Sequence, residues 1–219
     1  MNEALSKLEK IRDEHDIFGK KLLALSDGKV YPCHALYLSV LNRSLELYDG
    51  FLLLAKNGNY GCCMALLRMQ LDNVLRFYGI LITEDQHEAA NRIFNGTQLN
   101  KIKDKDGEKL RDFYLVKRLS EQNNWIEHVY KLCSGYIHLS DQHVYHMIGR
   151  TDATDDDKRT FYMGSSDEHI DEKYRIELVN AFEVITQGIF KLFVEWEKLS
   201  NKYDLTVLDE EYKISLLSR

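Results

Sequence analysis

The sequence contains few residues that interrupt helices. One proline and 12 glycines occur among its 219 residues, and both residue types are unfavourable inside helices. Hydrophobic residues make up 44% of the chain, which is enough to bury a substantial core in a protein of this length. The composition therefore favours a globular protein built from long helices.

No apolar run approaches the ~18 residues that a membrane-spanning helix requires. The N-terminal stretch, MNEALSKLEKIRDEHD, is amphipathic and charged, whereas a signal peptide has an uninterrupted apolar segment. We therefore expect no membrane association and a cytoplasmic location.

The four cysteines include no C-x-x-C pair. Cys33, Cys63 and Cys133 fall on apolar helical stripes, where cysteine acts as a small buried hydrophobic residue. This pattern indicates a reducing compartment and not a disulfide framework.

The chain has no excess of positive charge. Its formal net charge is -6, which argues against a surface that coats DNA or RNA in general. A local basic pocket remains compatible with this charge, so we predict no general DNA binding but leave open a specific phosphate-bearing ligand.

Hydrophobic residues recur three and four positions apart along most of the chain, the spacing that gives a helix one buried face. Residues 60–82 are apolar nearly all round, which is typical of a helix at the centre of a bundle. The predicted helices cover residues 3–26, 32–56, 60–82, 84–94, 108–122, 124–140 and 170–203.

The periodicity changes after the sixth of these helices. The segments HVYHMIG and KRTFYMG are short, aromatic and β-branched, and they flank the acidic stretch TDATDDD. Such segments favour strands, so we predict a small β-hairpin near residues 142–163. The polar, lysine-rich residues 97–107 are predicted to form an exposed connection.

The predicted fold is all-α, a bundle of six or seven helices with the hairpin as an insertion. A single domain is expected over residues 1–219, with its core at about 31–203. Residues 3–26 form an N-terminal helix and residues 204–219 a short tail.

The first candidate site lies on the third predicted helix, in the stretch RMQLDNVLR. Arg68, Asp72 and Arg76 are four residues apart, so they project near one edge of the helix. They are either a surface ion-pair ladder or the lining of a cleft. Both interpretations are open, because charges on a mostly apolar helix must be paired or face a cleft.

The second candidate site is the stretch SGYIH, in which Ser134 and His138 are one helical turn apart. No acid is placed by the local sequence to complete a hydrolase triad, and no G-x-S-x-G elbow is present. We expect His138 to be at least half buried and to bond with Ser134 or with the Arg68–Asp72 pair.

No metal or cofactor is predicted. His143 and His146 are three residues apart and would point to opposite faces of a strand. Neither fits a zinc pattern. The acidic run Asp152–Asp157 lacks the glycine and closing glutamate of a calcium loop, and the chain has no glycine-rich phosphate loop.

With Arg68, Asp72, Ser134 and His138 assembled, residues 31–200 resemble a group of bacterial all-helical proteins. That group has an R-x-x-x-E/D helix in its first half and an S-x-x-x-H helix in its second, and it is similar to the HEPN-like bundles. The resemblance implies a metal-independent endoribonuclease, often homodimeric, or an inactive nucleotide-binding or protein-interaction module.

The nuclease signature itself is missing. It consists of an Arg followed four to six residues later by His on one helix, and none of the eight histidines follows an Arg at that spacing. In a nuclease of this kind, His138 would therefore need an arginine from another helix, Arg68 or Arg76. The resemblance supports the fold more than the activity.

These observations favour a binding or interaction module. Its cleft, lined by Arg68, Asp72, Arg76, Ser134 and His138, would receive a phosphate-bearing ligand, a nucleotide or an RNA end. The alternatives are a toxin- or defence-type ribonuclease with His138 and Arg68 as catalytic residues, and a purely structural interaction bundle.

A homodimer is also predicted. The last long helix carries Phe190, Leu192 and Val194 outside its main apolar stripe. This is more apolar surface than one intramolecular face requires.

Overall fold

The computed structural model describes residues 1–26, 28–148 and 160–200. Within these residues the chain forms nine α-helices and one 3-10 turn at Leu99–Lys101. The α-helices are α1 (Asn2–Lys10), α2 (Glu14–Leu25), α3 (Pro32–Lys56), α4 (Tyr60–Leu81), α5 (Gln86–Phe94), α6 (Asp112–Ser120), α7 (Trp125–Ser134), α8 (Asp141–Met147) and α9 (Glu172–Ser200). The all-α prediction is confirmed.

The predicted β-hairpin near residues 142–163 is wrong over the described residues. Its first half forms α8, because Ser140 caps that helix by accepting a hydrogen bond from the Gln142 backbone N–H at 3.2 Å. Between its described parts, pairing is limited to one antiparallel bridge between Ile148 and Phe161. The acidic middle of the predicted hairpin, residues 149–159, lies outside the described residues, as does the whole predicted tail, residues 204–219.

The single helix predicted over residues 3–26 is divided into α1 and α2 by a turn at residues 11–13. The Tyr48 hydroxyl donates to the Leu8 carbonyl at 2.7 Å. This bond supplies a tertiary partner for a carbonyl of the last turn of α1, where helical partners run out. The break and the additional helix α8 are why the described residues contain more α-helices than the six or seven predicted.

The core is built around α3, α4 and α9. The rings of Phe51 and Phe182 stack with their centroids 3.9 Å apart, joining α3 to α9. Trp196 and Leu71 are also buried. As the apolar sequence of α4 predicts, this helix packs against α3 on one side and α9 on another.

The N-terminal helices cover most of the apolar surface of α9 that was expected to be in surplus. Phe190 is buried, and its ring stacks on Phe18 of α2 at 4.8 Å. Leu192 also packs against the core, and only Val194 of the three is exposed. The surface on which the dimer prediction depended is thus largely used within the chain.

A buried polar network crosses the core and leads towards the candidate site. The Gln70 side-chain amide donates to the hydroxyls of Ser44 at 2.7 Å and Thr186 at 2.9 Å. Its carbonyl oxygen accepts from Asn73 at 3.0 Å, and Asn73 in turn accepts from Arg43. Because buried polar groups are costly unless they are paired, this network fixes the register of α3, α4 and α9.

No helix in the described part of the chain is both long and apolar enough to cross a bilayer.

Candidate functional site

Arg68, Asp72 and Arg76 lie together on α4. One Asp72 carboxylate oxygen accepts from Arg76 Nε at 3.2 Å and is 3.7 Å from Arg68 Nη1. The helical spacing of four residues therefore brings all three side chains together. The two guanidinium groups share one carboxylate.

Two further residues complete the group from neighbouring helices. Asp112, at the start of α6, has a carboxylate oxygen 3.0 Å from Arg76 Nη2 and the other 3.8 Å from Arg68 Nη2. Arg43 of α3 places Nη1 3.7 Å from the second oxygen of Asp72. The arginine–aspartate cluster consists of Arg43, Arg68, Asp72, Arg76 and Asp112.

Arg68 is the interior member of the cluster, with a side chain that is 13% exposed. Its Nε donates to Ser134 Oγ at 3.1 Å, and its guanidinium lies 4.2 Å from the centre of the Tyr130 ring. The Ser134 hydroxyl donates to the Tyr130 carbonyl at 2.6 Å. Arg68 is thus fixed by α7 as well as by the two carboxylates.

The outer members of the cluster are more accessible. The side chains of Arg43 and Arg76 are 40% and 42% exposed. Three guanidinium groups and two carboxylates leave one positive charge uncompensated within the cluster. The arrangement therefore presents positive N–H donors to solvent on a rigid frame, as a site for a phosphate or carboxylate group would.

The nearby thiol of Cys133 is not a nucleophile candidate. Burial raises its pKa to about 12, and the opposing effect of Arg68 is smaller. The thiol is therefore protonated at neutral pH, and a thiolate is the reactive form.

The expectation that His138 is at least half buried is wrong. His138 is exposed, and it makes no hydrogen bond or ion pair with Ser134, Arg68 or Asp72 within the described residues. The cause is the end of α7 at Ser134, followed by turns in which the Ile137 N–H donates to the Ser134 carbonyl three residues back. The helical spacing that would bring His138 over Ser134 does not continue.

The other two histidines of this stretch also differ from prediction. His143 and His146 lie on α8 and not on a strand, so they do not point to opposite faces. Both rings contact Tyr136, with centroid distances of 5.5 Å and 5.7 Å. Residues three apart on a helix lie on the same side, which explains this shared contact.

His146 forms a partly buried pair with Asp167 that the sequence did not indicate. Its Nε2 is 2.9 Å from Asp167, whose other carboxylate oxygen accepts from the Gly61 backbone N–H at 2.9 Å. Burial raises the pKa of the Tyr136 hydroxyl, which lies 3.4 Å from His146 Nδ1. A Cβ on Gly61 would lie 3.1 Å from His146, so the missing side chain permits this close approach.

The His146–Asp167 pair connects α8 with the segment before α9, and the bond from the Gly61 N–H to Asp167 connects both to the first turn of α4. Its partners are 21 residues apart in the sequence, and no short motif links them. Only the topology of the folded chain brings them together.

Within the described part of the chain, no group of three or more His, Cys, Asp or Glu side chains is arranged to hold a metal ion. The acidic run Asp152–Asp157, which was considered as a calcium loop, lies outside the described residues.

Comparison with known proteins finds no matching family model, no matching curated protein and no matching solved structure.

Proposed function

We propose that this protein is a HEPN-like helical binding module whose arginine–aspartate cluster holds the phosphate group of a phosphate-bearing ligand, such as a nucleotide or an RNA end. The observation that carries the proposal is the combination of one uncompensated positive charge with two partly exposed guanidinium groups, on Arg43 and Arg76. Guanidinium groups bind phosphate through paired, charge-assisted hydrogen bonds.

The cluster residues have different roles in this proposal. Arg76 and Arg43 contact the ligand, because their side chains reach solvent. Asp72 and Asp112 hold these arginines in a fixed orientation, which lowers the entropic cost of binding. Arg68 and Ser134 are positioning residues that tie the cluster to α7.

Binding is better supported than cleavage. In the ribonuclease alternative, His138 is the general acid or base beside Arg68. His138 is exposed and does not contact Arg68. The alternative is therefore less well supported, because proton transfer requires a group within hydrogen-bond reach of the reacting atoms. The cluster offers guanidinium groups held in place by carboxylates, and guanidinium groups suit anion binding.

The proposal includes a reducing compartment, such as the cytoplasm. All four cysteines are free, and Cys33, Cys63 and Cys133 are buried, as is common in proteins of reducing compartments.

The homodimer remains a prediction, and light scattering at micromolar protein concentration tests it.

We expect millimolar inorganic pyrophosphate to raise the melting temperature of the wild-type protein and to raise that of Arg76→Gln by clearly less. A ligand that binds only the folded state stabilises it, and the substitution removes a positive charge that faces solvent. Differential scanning fluorimetry at low ionic strength measures the shift.

Arg12→Gln is the matched control, because Arg12 is also a partly exposed arginine paired with an aspartate, Asp49. It should retain the full shift. An equal shift in Arg76→Gln and wild type, or no shift in the wild type, would contradict binding at the cluster.

A further inference from the structure

A second site is defined by a cavity of about 600 Å³ beside the start of α6. Four basic side chains line it, those of Lys103, Lys109, Arg111 and Lys117. Among the described residues one acidic side chain, that of Glu108, also lines it, so the described lining has a formal charge of +3. No member of the arginine–aspartate cluster lines this cavity.

The four basic side chains have no carboxylate partner within ion-pair distance among residues 1–26, 28–148 and 160–200. The chain as a whole has a net charge of -6, so acidic residues are plentiful elsewhere. A concave surface that gathers positive charge in an acidic protein concentrates anions locally. The arginine–aspartate cluster differs from this cavity in its charge, since two carboxylates neutralise two of its three guanidinium groups.

The turn that carries the two lysines is ordered by its own hydrogen bonds. Lys103 and Lys109 face each other across an antiparallel bridge, although like charges placed opposite each other are destabilising. Buried Asp104 holds the turn by accepting the backbone N–H groups of Asp106 at 3.0 Å and Glu108 at 2.8 Å. The turn thus places the two lysines opposite each other, and a bound anion would lower the repulsion between their charges.

An exposed aromatic ring lines the same cavity. Phe113 is 75% exposed, and it lies on α6 between Arg111 and Lys117. Its neighbour Tyr114 also lines the cavity, but its hydroxyl is bonded to Asp104, so it forms part of the wall. Aromatic rings beside basic side chains are the usual platform on which nucleic-acid bases stack.

We propose that this cavity binds a nucleotide unit, with its phosphate between Lys103 and Lys109 and its base stacked on Phe113. The volume is within the range of small-molecule sites. A free nucleotide and a single-stranded nucleic acid both present a phosphate and a base. A competition experiment distinguishes these two ligands. The inference does not depend on the proposed function, because the residues differ.

The test uses the full-length protein and a fluorescein-labelled single-stranded oligoadenylate of about ten residues, a length that covers the site size of common single-strand binders. Fluorescence anisotropy measures the dissociation constant at several salt concentrations. We expect Phe113→Ala to weaken binding roughly tenfold, which corresponds to the loss of one stacked base. Lys103→Gln/Lys109→Gln should weaken binding similarly and reduce the slope of log K against log salt by about 0.7, the value for one phosphate contact on a single strand.

Two controls match these variants. Tyr145→Ala removes another exposed aromatic ring, and Lys20→Gln removes another exposed lysine; both should bind as the wild type does. If unlabelled ADP displaces the probe, a free nucleotide is sufficient for binding. If only unlabelled oligoadenylate displaces it, the ligand is a single-stranded nucleic acid. Either result supports the site. No binding by the wild type, or unchanged binding in either the Phe113 or the lysine variant, overturns it.

The outcomes also separate this site from the proposed function. Arg43→Gln/Arg76→Gln should retain oligoadenylate binding at the cavity while losing the pyrophosphate response. If pyrophosphate stabilisation is instead lost only in Lys103→Gln/Lys109→Gln, the arginine–aspartate cluster fails as an anion site and the cavity stands.

Discussion

Lowering the pH from 7 to 4.5 should reduce the free energy of unfolding by about 5 kcal/mol through His34 and His87. Burial lowers the pKa of each imidazole from 6.5 to about 4, and in His87 the proximity of His34 adds to this effect. Below pH 6.5 the unfolded chain binds protons that the folded protein excludes. The stability that these groups provide is therefore complete above pH 6.5 and is lost as the pH falls towards 4.

Urea unfolding at a series of pH values between 7 and 4.5 measures this dependence. The variant His87→Gln should flatten the slope by about 1.4 kcal/mol per pH unit, the contribution of one histidine. His128→Gln is the control, since His128 is exposed, and its slope should equal that of the wild type. A His87→Gln slope equal to that of the wild type would show that His87 is protonated equally in the folded and unfolded states.

The second large effect is expected at Arg68. Arg68→Met should reduce the free energy of unfolding by about 2–4 kcal/mol. The guanidinium of Arg68 is the partner of Asp72, Asp112 and Ser134, and losing it leaves these partly buried groups without that partner. Methionine keeps a long, unbranched side chain at this position but lacks the guanidinium that lies over the Tyr130 ring, so the substitution removes the charge, its cation–π contact and its hydrogen bonds together. Urea unfolding at pH 7 gives the difference.

Arg12→Met is the control for this measurement. Arg12 makes two hydrogen bonds to Asp49 at 3.0 and 3.1 Å, but its side chain is 49% exposed. Exposed ion pairs contribute about 1 kcal/mol or less, so this variant should lose little stability. Equal losses of unfolding free energy in the two variants would mean that the burial of Arg68 does not strengthen its ion pairs.

The central helices could be predicted from the sequence because local patterns determine them. The predicted helix over residues 32–56 matches α3, and the predicted helix over 60–82 matches α4 to within one residue. Long apolar stripes, a proline at the first helical position and asparagine–glycine at the boundary are all local signals.

The ends of the bundle depended on one contact between distant residues and on local caps and turns that hydrophobic periodicity does not show. The break between α1 and α2 involves Tyr48, which lies 40 residues from Leu8. Helix α8 has aromatic and β-branched residues that favour strands, and its cap at Ser140 outweighs that preference. The early end of α7, which leaves His138 exposed, has the same kind of origin in local turn bonds.

The candidate site was predictable only where its residues share a helix. Arg68, Asp72 and Arg76 were found because a spacing of four residues is visible in the sequence. Arg43 and Asp112 come from other helices, 29 residues before and 40 residues after Asp72, and no motif connects them. The same limit applies to His146 and Asp167.

Isothermal titration of inorganic pyrophosphate into Arg43→Gln/Arg76→Gln and into the wild type tests most directly whether the arginine–aspartate cluster is an anion-binding site. Both substituted side chains are partly exposed, and circular dichroism establishes that the variant is folded. The wild type should bind pyrophosphate, and the double variant should show at least a roughly hundredfold loss of affinity, about tenfold for each guanidinium contact. Undiminished affinity in a folded double variant would contradict the account.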